Sequence, residues 1–305
     1  MSLKKKLLAA TAVVASLAVL ASLTFFLRPV EVSLCLTHLR EPLNGFSSQT
    51  VTVEGQPLHY LVTGPANGPA VVLVHGLGGS AEDWLHLAPY LTRAGYRVYM
   101  PDLLGYGRSP RPADFSYSVR DEAAVVVGFL DALDLKQVDL AGWSMGGWIA
   151  QLVAIAYPER VHKLVLFDSV GLYHPPDWNT GLFTPANADE LNQLEALLVP
   201  DPPRIPAFVV RDILRVSEQR AWVIHRAVAS MMTGNDTTDN LLPTLKMPVL
   251  LGWGSVDRAT PLNLGNRMQT LIPHAELAVA ESCGHMAPRD CTQILGPRVV
   301  AFLQK

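Results

Sequence analysis

The pentapeptide at positions 142–146, Gly-Trp-Ser-Met-Gly, joins an apolar run to a stretch rich in alanine, isoleucine and leucine. This order predicts a buried strand, a sharp turn and a helix, with Ser144 at the tip of the turn. Such a turn crowds strand and helix together, so only residues without a side chain fit on either side of the serine. The pattern therefore predicts a serine hydroxyl presented at the end of a buried strand, as a nucleophile requires.

Two later strand ends carry side chains that can activate a serine. The apolar run 247–253 leads to Asp257, and the run 277–281 leads to a Gly-His turn with His285. The order serine, acid, histidine differs from the orders in chymotrypsin-like and subtilisin-like enzymes and is typical of the α/β-hydrolase fold. Among the nine histidines, only His285 follows the last predicted strand in such a turn, so it is the predicted base.

A loop upstream has the composition of an oxyanion-binding turn. The short predicted strand 70–74 runs into His-Gly-Leu-Gly-Gly at 75–79. A loop of this kind turns a backbone N–H toward the nucleophile and forms half of an oxyanion hole. Together, the loop, the serine turn, the acid and the histidine stand in the right order, each at a strand end, which is a specific signal for catalysis by serine.

With these motifs the chain resembles the serine α/β-hydrolases with a lid, such as monoacylglycerol lipases, carboxylesterases and membrane-anchored bacterial phospholipases A. The resemblance extends from about residue 50 to residue 303, through H-G-L-G-G, D-L-L-G-Y-G-R-S at 102–109, G-W-S-M-G-G, the acid turn and C-G-H-M at 283–286. It implies Ser144 as nucleophile, His285 as base, Asp257 as orienting acid, and the backbone amides of Leu77 and Met145 as oxyanion donors. It implies no metal and no organic cofactor.

The resemblance also bears on polar residues near these motifs. Asp168 ends another strand, and some lipases take their acid from that position, but the turn 254–261 around Asp257 matches the family better. The family usually uses the histidine equivalent to His75 to bond loop backbone. Asp102 is expected to tie loop backbone together beneath the site.

Several related enzyme classes lack support in the sequence. Haloalkane dehalogenases and epoxide hydrolases use an aspartate as nucleophile, which Ser144 contradicts. The proline iminopeptidase signature is missing, and so is the H-G-S-G-P-G-A loop of carbon–carbon bond hydrolases. On these grounds we expect ester hydrolysis.

The amino terminus predicts a membrane anchor. Lysines at 4–6 precede the uncharged stretch 7–27, which Arg28 follows. As a helix this stretch spans about 31 Å, enough to cross the hydrocarbon core. A cleaved secretory signal is the alternative, but its apolar region is usually shorter and ends at a small-residue cleavage site. The lysines predict a cytoplasmic amino terminus and an extracytoplasmic catalytic domain.

The anchor also offers a face for self-association. Thr11, Ala15, Ala18 and Ser22 recur on one side of the predicted helix. Small residues in such a row let two helices approach closely within lipid, which predicts a weak homodimer, with a monomeric anchor as the alternative. The next segment, 29–46, fits an amphipathic helix against the bilayer about as well as a plain tether.

Short strands rich in valine and leucine alternate with helices from residue 49 onward, which predicts a mostly parallel sheet with helices on both faces. The predicted strands are 49–54, 57–63, 70–75, 96–101, 137–142, 161–168, 247–253 and 275–281. The predicted helices outside the insertion are 82–94, 118–134, 145–157, 262–272 and 290–304. Parallel sheets place their ligands at the carboxyl ends of the strands, where the candidate catalytic residues fall.

This alternation stops between residues 171 and 244. Prolines, aromatic residues and helix-like stretches at 189–198, 207–216 and 218–232 predict a lid whose apolar walls bind an acyl chain, with a plain helical decoration as the alternative. The predicted substrate-binding residues are Trp143, Trp178, Phe183, Phe208, Met231 and Met232. The predicted organisation is an anchor at 1–28, a juxtamembrane segment at 29–46, the core at 47–170 and 245–305, and the lid at 171–244.

The charge content bears on possible nucleic-acid partners, and the cysteine content bears on a possible disulfide. Lysine and arginine number 24 against 27 for aspartate and glutamate, and no basic run follows the first one, so no nucleic-acid partner is expected. Cys283 and Cys291 flank the candidate base. An exported domain permits a disulfide between them, but free buried thiols are the expected state.

These patterns lead to one functional expectation with two alternatives. The expected protein is a single-pass, membrane-tethered serine ester hydrolase acting on acylglycerols, lysophospholipids or phospholipids. A broad carboxylesterase or thioesterase on small acyl substrates is the first alternative. A non-catalytic α/β-hydrolase that binds a ligand or serves as a scaffold is the second.

Overall fold

The apolar runs of the chain form an eight-stranded sheet in the computed structural model, which describes residues 3–305 and, at positions 3, 5, 8, 9, 12 and 17, the backbone alone. The strands are β1 Ser47–Val53, β2 Gln56–Thr63, β3 Ala70–Val74, β4 Arg97–Pro101, β5 Val138–Trp143, β6 Val161–Phe167, β7 Val249–Gly254 and β8 Glu276–Ala280. Their order is β1-β2-β4-β3-β5-β6-β7-β8. β2 pairs antiparallel with β1 and β4, and all later pairs are parallel. The predicted mostly parallel sheet is confirmed.

Helices cover both faces of this sheet. The helices of the described chain are α1 Leu3–Leu27, α2 Pro29–Arg40, α3 Ala88–Arg93, α4 Val119–Ala132, α5 Met145–Ala156, α6 Ala188–Leu198, α7 Ala207–Met232, α8 Leu262–Leu271, α9 Ala287–Asp290 and α10 Thr292–Leu303, and those that cover the sheet include α3 and α10 on one face and α4 and α5 on the other. Short 3-10 helices lie at Pro42–Asn44, Ala81–Trp84, Pro158–Arg160, Thr180–Phe183 and Leu242–Thr244. The predicted helix 82–94 is divided in two, into the 3-10 turn Ala81–Trp84 and α3.

The core lies on both sides of the sheet because side chains of a strand alternate between its faces. Val71 and Leu73 of β3 pack on the side of α3 and α10, whereas Val72 and Val74 pack on the side of α4 and α5. Burial on both faces explains why these strands read as continuous apolar runs. The parallel pairing also brings the carboxyl ends of β3, β5, β6 and β7 to one edge of the sheet, where the candidate site lies.

An inserted segment containing α6 and α7 separates β6 from β7, within the region 171–244. The two stretches predicted at 207–216 and 218–232 form one continuous helix, α7, since no proline or glycine interrupts them. The prolines at 200, 202, 203 and 206 fall in the link between α6 and α7, and Pro206 directly precedes α7. Val223 and Ala227 of α7 are fully buried, so the helix packs on the core by one face.

The start of α2 is fixed to the inserted segment by charged groups. Asp212 of α7 is buried and accepts the Val30 amide at 3.0 Å. Arg215 bridges Asp212 and Glu31, at 2.8 Å and 2.6 Å. Residues 29–40 of the segment 29–46 are helical, and this helix docks against protein. Its predicted contact with the bilayer stays a prediction.

Apolar side chains of α1 are exposed along the part that the structure describes. Its last turn meets the inserted segment, where the rings of Phe25 and Phe26 lie 5.8 Å and 5.1 Å from that of Phe208. Among the described residues, no single helix meets the length and hydropathy expected of a membrane span; Val13–Leu27 and Pro29–Arg40 meet them together, as a pair bent by 110°. The predicted anchor at 1–28 and its orientation stay predictions.

Cys283 and Cys291 form a disulfide, which corrects the expectation of free thiols. The turn after β8 and the short helix α9 bring their Cα atoms to 6.4 Å, within the range that a disulfide spans. The sequence could not show this approach, because it depends on how the loop around His285 folds back. Cys35 is the free cysteine and is exposed.

Glu122 of α4 is a buried carboxyl that the active site does not use. It is 1% exposed, and neither oxygen has a hydrogen-bond partner of good geometry among the described residues. Burial raises the pKa of this carboxyl well above its ordinary value, and the nearby Leu104 amide offsets only part of that effect. The folded protein is therefore most stable when the Glu122 carboxyl is neutral.

We expect Glu122→Gln to stabilise the protein increasingly as pH rises. The raised pKa favours folding below the unfolded value of 4.5, and this contribution is lost as pH rises toward the folded pKa. The native protein then loses about 1.4 kcal/mol per pH unit that the neutral glutamine does not lose. Thermal unfolding of both proteins at about pH 5 and about pH 8 checks this. Exposed Glu159 supplies the control, Glu159→Gln, and an equal gain at both pH values would contradict the assignment.

Candidate active site

Ser144 lies at the tip of the turn between β5 and α5, as the pentapeptide predicts. Its backbone is in the left-handed region, with φ 55° and ψ −118°, and its amide donates to Phe167 O at 2.9 Å. A Cβ at position 142 would lie 2.1 Å from Gly146 O, and one at position 146 would lie 2.2 Å from Val74 O. Neither approach is sterically allowed, so both glycines are required for the turn to form.

His285 and Asp257 are hydrogen bonded within the protein interior. Nδ1 of His285 lies 2.8 Å from Oδ2 of Asp257, and the two residues are 3% and 5% exposed. The other carboxylate oxygen, Oδ1, accepts the amides of Ala259 at 2.8 Å and Thr260 at 3.0 Å. These bonds fix the carboxylate and, through it, orient the imidazole so that Nε2 is left for another partner.

Thr260 is a site residue that sequence reasoning missed. Its hydroxyl lies 2.6 Å from Asp257 Oδ2 and 3.1 Å from His285 Nδ1. One hydroxyl carries one proton, and the shorter contact makes Asp257 its acceptor. The only signal in the sequence was its place three residues after the acid, within the turn 254–261.

The histidine loop is also held by its own backbone. Trp143 Nε1 donates to His285 O at 2.8 Å, and His285 N donates to Leu198 O at the end of α6 at 3.0 Å. Arg258, next to the acid, donates to Ala196 O of the same helix at 2.8 Å. Trp143 thus holds the loop that carries His285, whereas the sequence analysis predicted that it binds substrate.

Ser144 makes no side-chain hydrogen bond to His285 in the part of the chain that the structure describes. In unliganded sites of this kind the bond between nucleophile and base is often long and shortens when substrate binds. The structure thus joins base and acid directly, and it brings the serine turn beside them through Trp143, the residue that precedes Ser144.

The loop after β3 lies beside the serine. A Cβ at position 76 would be 3.2 Å from the Ser144 Cβ. His75 ties the loop together, because Nδ1 donates to Gly76 O at 2.8 Å and Nε2 accepts the Leu103 amide at 3.1 Å. Within residues 3–305 the amides of Leu77 and Met145 donate to no protein acceptor, so they remain available for an anion at the serine.

Asp102 organises the loops beneath the site, as expected. Its carboxylate accepts His59 Nδ1 at 2.7 Å, the Ala81 amide at 2.6 Å and the Arg108 amide at 2.9 Å. Burial acts to raise the pKa of Asp102, but these hydrogen bonds outweigh it and leave the pKa below its ordinary value. The Asp102 carboxylate therefore fixes the geometry of these loops.

A group of side chains with metal-ligand chemistry lies between α2 and these loops. Donor atoms of His38, Glu41 and Glu82 lie within 4.8 Å of one another. The guanidinium of Arg108 already binds both glutamates, at 2.7 Å and 3.1 Å. The cation that neutralises these carboxylates is thus Arg108, and the cluster attaches α2 to the core.

Asp168 ends β6 and lies next to the acid, but its carboxyl does not take the place of Asp257. His285 is paired with Asp257, whereas Oδ1 of Asp168 accepts the Gly254 amide at 2.7 Å. Asp168 is fully buried, and burial raises the pKa of its carboxyl well above the ordinary value, with the charge of Asp257 raising it further.

The predicted substrate-binding residues divide among three places. Trp178, Met231 and Met232 line an apolar cavity of about 170 Å³ that also borders Trp148, Val170 and Thr260. The ring of Phe183 packs against that of Trp178, with centroids 5.6 Å apart and the planes tilted by 57°. Trp143 donates to His285 O, and Phe208 packs on α1, so both lie away from this cavity. The cavity reaches the acid turn through Thr260, and neither Ser144 nor His285 lines it.

Comparison with known proteins places this geometry among hydrolases. A family model described as "alpha/beta hydrolase fold" matches residues 69–222. The chain is 30% identical over 269 residues to a 2-hydroxy-6-oxononadienedioate/2-hydroxy-6-oxononatrienedioate hydrolase of Burkholderia vietnamiensis, covering 81% of this chain and 91% of that one. It is 33% identical over 262 residues to a 2-hydroxymuconate semialdehyde hydrolase of Pseudomonas putida, covering 77% and 87%.

A solved structure extends the likeness to the amino-terminal helices. The crystal structure of a membrane phospholipase A, described as a bacterial virulence factor, is 28% identical and matches with a TM-score of 0.82 over 99% of this chain and 98% of that one. The similar proteins therefore include a phospholipase as well as hydrolases of unsaturated keto acids. The exclusion of carbon–carbon bond hydrolysis from the loop motif alone is not supported by these relatives.

Proposed function

Because the chain belongs to the α/β-hydrolase family, we propose that it is a membrane-tethered serine hydrolase that cleaves carboxylic esters of lipids through an acyl-enzyme. The observation that carries this proposal is the combination of a buried histidine–aspartate pair beside the serine turn with an exposed apolar helix fixed to the same domain. A catalytic domain attached in this way meets amphiphilic substrates at high local concentration.

In the proposed mechanism Ser144 attacks the ester carbonyl while His285 takes the serine proton on Nε2. Asp257 keeps the proton of the imidazole on Nδ1 and stabilises the imidazolium. The amides of Leu77 and Met145 bind the oxyanion, and each such donor typically contributes about 10²–10³ in rate. The alcohol or lysolipid leaves with the proton from His285, and water then releases the acid from the acyl-enzyme.

The inserted segment supports a lid role in this proposal. The cavity of about 170 Å³ under α7 is walled by tryptophan and methionine side chains. Apolar cavities of similar size accept a benzene-sized group. This cavity therefore suits the end of a short or folded acyl chain, and the rest of a longer chain would lie along α7.

The amino-terminal helix supports the tether. Leu7, Val14 and Leu20 are 66%, 65% and 61% exposed, although such side chains are ordinarily buried. Extended apolar surface of this kind marks contact with a membrane or with another protein. We propose that α1 crosses the bilayer with its lysines in the cytoplasm, and that the catalytic domain lies on the other side.

Likeness to the membrane phospholipase A supports a lipid ester as the substrate class, because it covers nearly the whole chain, including α1 and α2. A second candidate is hydrolysis of a carbon–carbon bond in an unsaturated keto acid, which the names of the relatives at 30% and 33% identity favour. The loop 75–79 has Leu-Gly-Gly after His-Gly, where the loop of that enzyme class reads Ser-Gly-Pro, and this difference favours the ester.

The test compares three substrate classes on full-length protein in detergent, with Ser144→Ala as the blank. We expect turnover of p-nitrophenyl esters to rise beyond four carbons and phospholipid vesicles to release fatty acid. An optimum at four carbons or below without release from vesicles would indicate a small-substrate carboxylesterase or thioesterase. Turnover of a 2-hydroxy-6-oxo-dienoate without ester hydrolysis would establish the carbon–carbon activity. Failure of a fluorophosphonate to label Ser144 would indicate a non-catalytic protein.

Self-association through α1 is a further proposal about the tether. Thr11 and Ser22 return their hydroxyl groups to carbonyls of their own helix, so the row formed with Ala15 and Ala18 presents a smooth face of small residues. We expect Ala15→Leu with Ala18→Leu to reduce crosslinked dimer in membranes while ester turnover by the domain persists. Val14→Leu with Val19→Leu outside the row is the control. Equal crosslinking in all three proteins would place any interface elsewhere.

A further inference from the structure

A groove lies between the end of α1 and the start of α7. Leu20, Leu23 and Leu27 of α1 form its apolar wall, and Arg211 and Arg215 of α7 line its other side. The three leucines are three and four residues apart, so they share one face of α1. They are 61%, 53% and 61% exposed, and the groove has a volume of about 630 Å³, which is within the range of ligand sites.

The charged side chains at the polar end of this groove do not cancel. Asp212 is 2% exposed, and its carboxylate binds Arg215 at 2.8 Å, with Arg28 at 3.8 Å. The other end of Arg215 binds Glu31 at 2.6 Å. With Arg211, three arginines therefore face two carboxylates at this junction of α1, α2 and α7, and one positive charge is left over.

Arg211 is the arginine that carries the extra charge. It is exposed, and its guanidinium forms no ion pair or hydrogen bond with any residue that the structure describes. A guanidinium presents its N–H groups in a planar fork that matches two oxygens of a phosphate. Since the apolar wall of α1 lies opposite, the groove has the two surfaces that a phosphate group joined to an acyl chain requires.

We propose that this groove binds an anionic glycerophospholipid of the bilayer, with its phosphate at Arg211 and an acyl chain along the leucines of α1. The proposal rests on the proposed tether, which places Leu27 and Arg28 at the membrane surface on the side of the catalytic domain. From Leu27 to Leu20 the helix extends about 10 Å into the hydrocarbon core. A phosphate held at the surface therefore brings its acyl chain beside these side chains.

The charges of the groove also select the headgroup. A zwitterionic lipid carries an ammonium group, which Arg28 and Arg211 would repel. A lipid with a net negative charge, such as phosphatidylglycerol, neutralises the extra arginine without adding a cation. Neither Ser144 nor His285 lines the groove, so a lipid bound there is a ligand held apart from the proposed site of hydrolysis.

Native mass spectrometry of full-length protein in detergent micelles tests the binding. The probe is a diether phosphatidylglycerol, which has no ester bond to hydrolyse, and diether phosphatidylethanolamine is the comparison. We expect the anionic lipid to bind about tenfold more tightly, as for a hydrogen bond to a charged group. Equal affinity for the two lipids would overturn the proposal, and so would displacement of the lipid by inorganic phosphate, which would indicate a site for free phosphate.

Arg211→Gln tests the phosphate contact. Because Arg211 is exposed, the variant should fold, and we expect its affinity for phosphatidylglycerol to fall about tenfold, to that for phosphatidylethanolamine. Arg298→Gln is the matched control, since Arg298 is an exposed arginine of α10 that does not line the groove. It should bind as the native protein does. Equal affinity of native protein and Arg211→Gln would overturn the proposal.

Leu23→Trp tests the acyl chain contact. The larger ring fills part of the groove while α1 stays apolar, so we expect weaker binding of phosphatidylglycerol. Val14→Trp adds the same ring at a position of α1 that is 65% exposed and outside the groove, and it should bind as the native protein does. Equal binding by these two variants would place the acyl chain elsewhere and overturn the proposal.

Lipid binding is measured without turnover, so its outcome is separate from that of the proposed hydrolysis. If a fluorophosphonate fails to label Ser144 but lipid binds through Arg211, the proposed hydrolysis fails and the lipid site stands. If carbonate releases the native protein from membranes, both the tether and the lipid site fail. A protein that stays in membranes and binds both lipids equally would overturn the lipid site alone.

Discussion

Ser144→Ala is expected to lower kcat for ester hydrolysis by about four or more orders of magnitude, and His285→Ala and Asp257→Asn by amounts of that order. Each change removes one member of a unit: the nucleophile, the proton acceptor, or the group that keeps the imidazole proton on Nδ1. Because the members act together, the triple variant should lose little more than the worst single one. Steady-state kinetics with a p-nitrophenyl ester, alongside thermal unfolding to show that each variant folds, give the comparison.

A comparison of Asp257 with Asp168 tests which of the two carboxyls is the acid of the proposed triad. Asp257 and Asp168 end neighbouring strands, and both are buried, but only Asp257 contacts His285. Asp257→Asn should therefore be far more damaging than Asp168→Asn. If Asp168→Asn abolished turnover while Asp257→Asn left it near native, the roles of the two carboxyls would have to be exchanged.

The second large effect concerns the membrane. Full-length protein is expected to remain with membranes through washing with high salt and with carbonate, because burial of an apolar helix, unlike charge attraction, is not screened by salt. Val14→Arg with Leu20→Arg should shift it to the soluble fraction or prevent insertion. Each arginine near the centre of a span costs about 2.5–3.5 kcal/mol.

A matched change outside α1 controls for the added charge. Leu43 is 84% exposed in the turn after α2, so Leu43→Arg adds an arginine without placing it in the proposed span. It should leave the protein in the membrane fraction. Release of the native protein by salt alone, or a mature amino terminus that begins after residue 27, would contradict the tether.

The sheet could be predicted because its physical cause is local in the sequence. β3, β5, β6 and β7 are buried on both faces, so each reads as a short continuous apolar run, and the predicted ends agree with the observed ones within two residues. The catalytic candidates were found for the same reason, since they stand directly after such runs. The turn around Ser144 needed its two glycines, which are visible in the sequence.

What the sequence did not reveal depends on distance through space. The Thr260 hydroxyl contacts both Asp257 and the backbone oxygen of Asp168, which follow different strands, and Arg108 joins α2 to the loops because the fold brings Glu41 to it. The disulfide was misjudged because two cysteines eight residues apart give no sign of whether the loop between them turns back. Phe208 looked like a substrate contact because it is aromatic, but α1 covers it.

The bond from His285 N to Leu198 O has a consequence for how substrate enters. A lid that only blocks a site can open without changing the arrangement of the catalytic residues beneath it. Here α6 also holds the base, and through Ala196 O it holds the arginine beside the acid. Movement of α6 away from the core would therefore break the hydrogen bonds that hold the proposed base and the arginine next to the acid. If α6 is part of the lid that we propose, the base and the acid turn are held in place only while that lid is closed.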